Sequence, residues 1–286
     1  MRQQLLYSWI LVREKPVFRS DLKTTFQRWP ASWVWLMSLA TWVWLFYSAF
    51  IAGGSVQMSH PSLVTMVYGS TDLTDFLIQL SASMLPWMLM VIAMMFPLLN
   101  TQVEHVAFSL PRSERAKGVL SFLSGYSLTW LAVGAGLQLL IAVIDMLLAG
   151  RSAIFKASLP AVAFLLAAAV VWWPQRIVWM AACGLRMPLR INTWKSHLDS
   201  FNYGMKKGFV CARTCWIPMF ALMLAHHNLW TMALVTLVLI YERYLIPHES
   251  KLIGYAWLLI AAFFTGLALL SLGQGGEQAI PYCVPV

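Results

Sequence analysis

The sequence predicts an all-α, polytopic transmembrane helix bundle, and three observations carry that reading. Charged residues make up only 11% of the 286 positions and hydrophobic ones 60%, where soluble domains carry roughly 25% and about 45–50%. That leaves too little polar surface to cover a globule in water, and a mean hydropathy of +0.69 agrees. The apolar residues also fall into continuous runs of about 17 residues or more, enough to cross about 30 Å of hydrocarbon at about 1.5 Å per residue. Finally, the runs lack the alternation of a barrel strand, so helices are expected.

In chain order, residues 1–31 form a cytoplasmic arm. Its Leu5, Leu6, Trp9 and Ile10 lie between Arg2 and Arg13, as in a short helix resting in the membrane interface; a partner-docking or disordered arm is the alternative. The patch Leu5 to Val12 is only about eight residues long, lacks a small-residue cleavage site and runs at once into Glu14, Lys15 and Pro16, which argues against a signal peptide. Seven spans then occupy 33–52, 77–99, 119–148, 157–174, 209–225, 229–246 and 252–272 within one membrane domain, 32–272. Only the link Ala225 to Asn228 separates the fifth from the sixth, so one long bent helix is the alternative there. Residues 273–286 are an exterior tail.

Charge placement orients the bundle. Six basic residues precede Ser32, whereas Gly53 to Asp75 holds none, and the links 112–117, 175–208 and 243–251 are basic again. In total 17 of the 20 Lys and Arg fall on one side. By the positive-inside rule the N-terminus is cytoplasmic and the C-terminus outside, in the bacterial inner membrane. The net charge of +9 is thus an orientation signal, and nucleic acid is excluded as a partner. Lipid and membrane or periplasmic proteins are the partners expected.

Sulfur is the feature to explain: the chain has 16 Met and 4 Cys. Helical spacing puts Met84, Met88 and Met95 on one face and makes Met90 and Met94 a second pair four residues apart. In the fifth span Cys211, Cys215, Met219, Met223 and His227 recur every four residues, so successive groups stand one turn apart. Thiolates and thioethers are soft ligands suited to Cu(I) and poorly suited to Mg²⁺ or Ca²⁺. Met is also a common packing residue and Cys a small buried hydrophobe, so plain core packing is the competing account. Arg213 lies between the two cysteines in sequence, but adjacent helix positions do not face each other. His60, His226 and Cys283 stand in loops or the tail; Glu104 with His105, Gln138, Asp145 and Glu242 are the polar groups near or inside spans, where a charge by default has a partner or a function. No nucleophilic triad order, phosphate-cradling glycine loop or paired catalytic carboxylates within one segment is present.

Trp87-x-x-Met90-x-x-Ala93-Met94-Met95-x-Pro97, Gly125-Tyr126-x-x-x-Trp130, Gln175 with Cys183 eight residues on, Gly208-x-x-Cys211-x-x-x-Cys215-Trp216, and Glu242-Arg243 form a recognisable series. Across residues 84–246 it resembles the bacterial integral membrane proteins of domain of unknown function family 2182, described as predicted metal-binding. The resemblance implies a metal set of Met90, Met94, Met95, Cys183, Cys211, Cys215 and Glu242. It departs from the family at Gly184-Leu185-Arg186-Met187 and at Thr214, where further cysteines are usual. The expected function is binding or handling of a soft metal, copper foremost, in delivery, tolerance or assembly of a copper enzyme; Met219 and His227 join the ligands by spacing. The alternative is a non-catalytic subunit that anchors a larger membrane complex while its Met/Cys-rich helices only pack. A membrane oxidoreductase is a third, weaker expectation, since its harder ligands are split between both faces.

Overall fold

The computed structural model describes residues 31–50, 73–148, 153–190, 193–225, 229–244 and 250–273. The N-terminal arm, His60, His226, His227 and the tail with Cys283 lie outside the described residues. Among the described residues every regular element is helical. In order these are α1 (Ala31–Phe50), α2 (Leu73–Met95), a 3-10 turn (Phe96–Leu99), α3 (Asn100–Ser109), α4 (Arg115–Leu147), α5 (Ala153–Val171), α6 (Pro174–Gly184), α7 (Thr193–Leu224), α8 (Leu229–Tyr244) and α9 (Ser250–Gly273).

Five stretches among the described residues are long and apolar enough to cross a membrane: 32–50, 84–109, 115–147, 195–224 and 252–269. A sixth arises if α5 and α6, bent by 74° at Trp172 and Trp173, count as one. Helix α8, at 16 residues, is shorter than these. The segments after Gly208 are two helices rather than one bent helix. The expected basic link 175–208 is instead α6, an extended stretch and the first half of α7. Two of the residues assigned there to loop charge, Arg176 and Lys207, are buried.

The most extensive packing joins α4 to α7 and α5 to α9. Along α7, Ser200, Gly204, Gly208 and Ala212 recur every four residues and are all buried, the small-residue stripe that lets helix backbones approach closely. A methyl group on Gly204 would strike the Phe122 carbonyl of α4, and one on Gly125 would strike the Phe201 carbonyl of α7. At this crossing the Thr129 hydroxyl donates to the Met205 carbonyl at 3.3 Å. Gly204→Leu should therefore lower stability by about 1–3 kcal/mol or more through overpacking. Gly136→Leu, where nothing lies within 4 Å of the added carbon, should change it by less than about 0.5 kcal/mol. Thermal melts of the two purified variants in detergent check the contrast.

Pro97 explains the junction between α2 and α3. Having no N–H, it leaves the Ala93 carbonyl without its i+4 helical donor and tightens the following turn. Helix α1 supplies the missing donors: Ser38 Oγ reaches the Ala93 oxygen at 2.6 Å and Trp42 Nε1 at 3.1 Å. The buried face of α2 is Trp87, Met90, Val91 and Met94, with Ala93 and Met95 beside it. The expected face of Met84, Met88 and Met95 is only partly inward, since Met84 and Met88 are half-buried. Trp87 is held by its indole N–H, which donates to the Trp130 carbonyl at 2.8 Å, and by packing on Gly134.

Polarity runs against the habit of a water-soluble bundle. Large apolar side chains such as Met146, Leu147 and Leu259 face outward, each more than 70% exposed, while Arg176, Lys207, Gln102, Gln138 and Glu242 are buried.

Candidate metal centre

Five elements line one cavity of about 40 Å³, more than the roughly 10–15 Å³ that one water centre needs. The 3-10 turn contributes Leu98 and Leu99, and Gln102 follows from α3. Cys183 and Met180 come from the last turns of α6, and Leu239, Glu242 and Arg243 from the end of α8. Lys207, Cys211, Thr214 and Cys215 line it from one side of α7. Their spacing of 4, 3 and 1 residues follows from the helix repeat, which returns positions three and four apart to the same face.

Each sulfur has a defined environment. The Tyr126 hydroxyl of α4 donates to Cys211 Sγ at 3.3 Å. The Thr214 hydroxyl lies 3.4 Å from Cys215 Sγ and donates to the Cys211 carbonyl at 2.9 Å. All three thiols are free. Cys183 stands where α6 ends, a point that needs donors for its last carbonyls. Lys207 Nζ supplies them to Ala182 and Cys183 at 3.1 and 2.9 Å, and Gln102 Nε2 adds a donor to Cys183 at 3.1 Å. A cation at a helix C-terminus is also favoured by the helix dipole. The backbone carrying Cys183 is thus fixed against α3 and α7.

At the cavity wall Glu242 of α8 forms an ion pair with Arg176 of α6, their side chains 8% and 6% exposed. A buried charge is costly unless it is paired or hydrogen-bonded, and this pair ties α6 to α8. Among the described residues neither Lys207 nor Arg243 forms an ion pair with a carboxylate.

Of the sequence-derived ligands, Cys183, Cys211, Cys215 and Glu242 therefore share one pocket. Met90, Met94, Met95 and Met219 do not line it; all four are fully buried in the apolar core, in one contiguous cluster with Cys215. His227 lies outside the described residues. The guanidinium of Arg213 lies over the Trp179 and Phe209 rings, 5.2 and 5.9 Å from their centroids, and does not line the cavity. His105 meets the Met187 carbonyl at 2.8 Å. Sequence reasoning missed Met180, Gln102, Lys207, Thr214 and Arg243 as members of the site. A Lys one residue before a buried glycine of a small-residue stripe was the available signal for Lys207.

Among the described residues no three His, Cys, Asp or Glu side chains stand together as a ready coordination group. The pocket gathers soft donors around a cavity without arranging them as a finished sphere. Its donor set of three thiols and one thioether suits a soft ion and is poor in the oxygen ligands that Mg²⁺ or Ca²⁺ require.

No curated protein and no solved structure matches the chain. Residues 84–269, which include every residue named in the pocket, match the PpoB2 family, described as a copper chaperone. That match corrects the resemblance drawn above: the family found is a copper family and not domain of unknown function family 2182. On this match, which covers well over half of its length, the chain belongs to the PpoB2 copper chaperone family.

Proposed function

We propose that this protein is an integral chaperone of the bacterial inner membrane that takes up Cu(I) on the thiols of Cys183, Cys211 and Cys215 and passes it to a copper enzyme. The observation that carries the reading is the meeting of Cys183 with Cys211 and Cys215, brought from separate helices into one cavity. Family membership supports copper as the cargo. Thiolates bind Cu(I) well and exchange it by successive ligand replacement, which suits transfer rather than storage. Glu242 lines the cavity and holds Arg176 in an ion pair. Met90, Met94, Met95 and Met219 are buried in the apolar core, a packing role that Met fills well.

Outward-facing Leu, Met and Phe side chains and helices of spanning length support the membrane placement. The orientation, N-terminus inside and C-terminus outside, rests on the basic arm and the charge-free stretch 53–75. Membrane or periplasmic apo-enzymes are the partners this orientation serves, and the protein itself acts without catalysis.

Delivery is testable directly. Detergent-purified protein loaded with one equivalent of Cu(I), in the presence of a chelator that suppresses free copper, should restore activity to an apo copper oxidase. A Cys211→Ser/Cys215→Ser variant should not. Equal restoration by both proteins would contradict a role for these thiols in transfer.

A further inference from the structure

The outward side of α7 carries cations that the thiol cavity does not use. Lys206, Phe209, Arg213 and Trp216 are all exposed. The helix repeat returns positions seven apart to within about 20°, so Lys206 stands in line with Arg213 and Phe209 with Trp216. Arg213 is deep. About 20 residues cross the hydrocarbon; counted back from Leu224 at the end of α7, they begin at Met205 and leave Arg213 about two turns inside. Its side chain leans toward the N-terminal end of the helix, as helical side chains do. There its guanidinium lies over the rings of Phe209 and of Trp179 from α6, 5.9 and 5.2 Å from their centroids. Among the described residues neither Lys206 nor Arg213 forms an ion pair with a carboxylate. A cation facing hydrocarbon is costly, and the cost falls when the side chain snorkels and the bilayer thins around it. Helix α8, which meets α7 at the cavity, favours the same thinning: its 16 residues span about 24 Å, against about 30 Å of hydrocarbon.

We infer that Lys206 and Arg213 form a headgroup site for one anionic phospholipid of the cytoplasmic leaflet. The guanidinium is a planar fork of N–H donors that matches phosphate oxygens, and stacking on Trp179 and Phe209 limits the orientations it takes. Seven residues rise about 10.5 Å along the helix. Because Arg213 leans about one turn of that distance toward Lys206, a single headgroup meets both charges. Phe209 and Trp216, 60% and 41% exposed, give the acyl chains an apolar bed on the same stripe. That neighbourhood suits a lipid better than a soluble phosphate. The inference rests on the membrane placement and orientation above and is independent of the copper reading, since neither cation lines the cavity.

Native mass spectrometry of the full-length protein in detergent tests this, with dioleoyl phosphatidylglycerol, dioleoyl phosphatidylcholine and glycerol phosphate added in turn. Wild type is expected to retain one phosphatidylglycerol in preference to phosphatidylcholine, and to hold no glycerol phosphate. Lys206→Gln and Arg213→Gln should each bind phosphatidylglycerol about fivefold more weakly. Arg213→Lys, which keeps the charge but not the planar fork, should fall between. Arg112→Gln, which removes an exposed cation from the turn between α3 and α4, should bind like wild type. Thermal midpoints are the folding control, and Lys206→Gln decides the matter alone should Arg213→Gln misfold, because Lys206 is exposed. Equal phosphatidylglycerol binding by wild type and the folded variants, or equal retention of the two lipids, would overturn the headgroup site. Glycerol phosphate held as tightly as the lipid would overturn lipid as the occupant. A protein that retains no lipid of any kind would overturn the inference together with the membrane placement.

Discussion

Glu242→Gln should be among the most destabilising single substitutions in the molecule. The carboxylate is buried against Arg176, and deleting one member of a buried pair costs about 3–5 kcal/mol because the partner's charge remains without compensation. Here the loss is compounded, since Arg176 would join Lys207 and Arg243 as a third cation with no acid lining the cavity. Arg176→Met should fall at the lower end of that range, because Glu242 then keeps Arg243 and Lys207 nearby. Combining the two, Arg176→Met/Glu242→Gln, should recover much of the stability, as replacement of a whole buried pair by neutral groups often does. Thermal midpoints of the three variants in detergent give the order. Equal midpoints for Glu242→Gln and wild type would show that the pair does not hold α6 to α8.

The largest functional effect should come from Cys211→Ser/Cys215→Ser. Serine is nearly isosteric, so the α4–α7 interface and the Tyr126 hydrogen bond have room to persist. The change removes two soft donors and substitutes hard neutral hydroxyls that suit Cu(I) poorly. Loss of an outer-shell partner alone typically costs 10–100-fold in metal affinity, and loss of two direct ligands should exceed that. Met90→Leu/Met94→Leu should behave oppositely. Both methionines are fully buried in the core and away from the cavity, so their replacement is a nearly volume-conserving swap costing less than about 1.5 kcal/mol and little copper.

Much of the architecture was legible because hydropathy reports helices directly. The runs at 33–52, 119–148, 157–174 and 252–272 reappear as α1, α4, α5 and α9 within a few residues. The first half of α7 was not legible from hydropathy: Lys195, Ser196, His197, Asp199, Asn202, Lys206 and Lys207 make it polar. What holds it helical against α4 is the stripe Ser200, Gly204, Gly208 and Ala212, a packing signal carried by small size. The methionine face of α2 was misjudged for a related reason. Spacing shows which residues share a face, but the side turned inward depends on the neighbours, and Trp87 seated on Gly134 turns Met90 and Met94 to the core.

Within the site, the pair Cys211 and Cys215 was readable from its four-residue spacing. Cys183 carried no such local sign and entered through resemblance, because α6 reaches the cavity only by the 74° bend after α5. Gln102, Lys207 and Arg243 were hidden by a different limit. A basic residue between apolar runs reads as a loop charge, and only the structure shows that Lys207 caps α6 and that Arg243 faces the thiols.

The most direct test of the account is the copper content of protein purified under reducing conditions, compared across wild type, Cys211→Ser/Cys215→Ser and Met90→Leu/Met94→Leu. The account predicts about one copper per chain in wild type and in the methionine variant, and almost none in the cysteine variant. Copper retained by the cysteine variant and lost from the methionine variant would place the site in the core rather than the cavity, and would contradict the assignment of the thiols as its ligands.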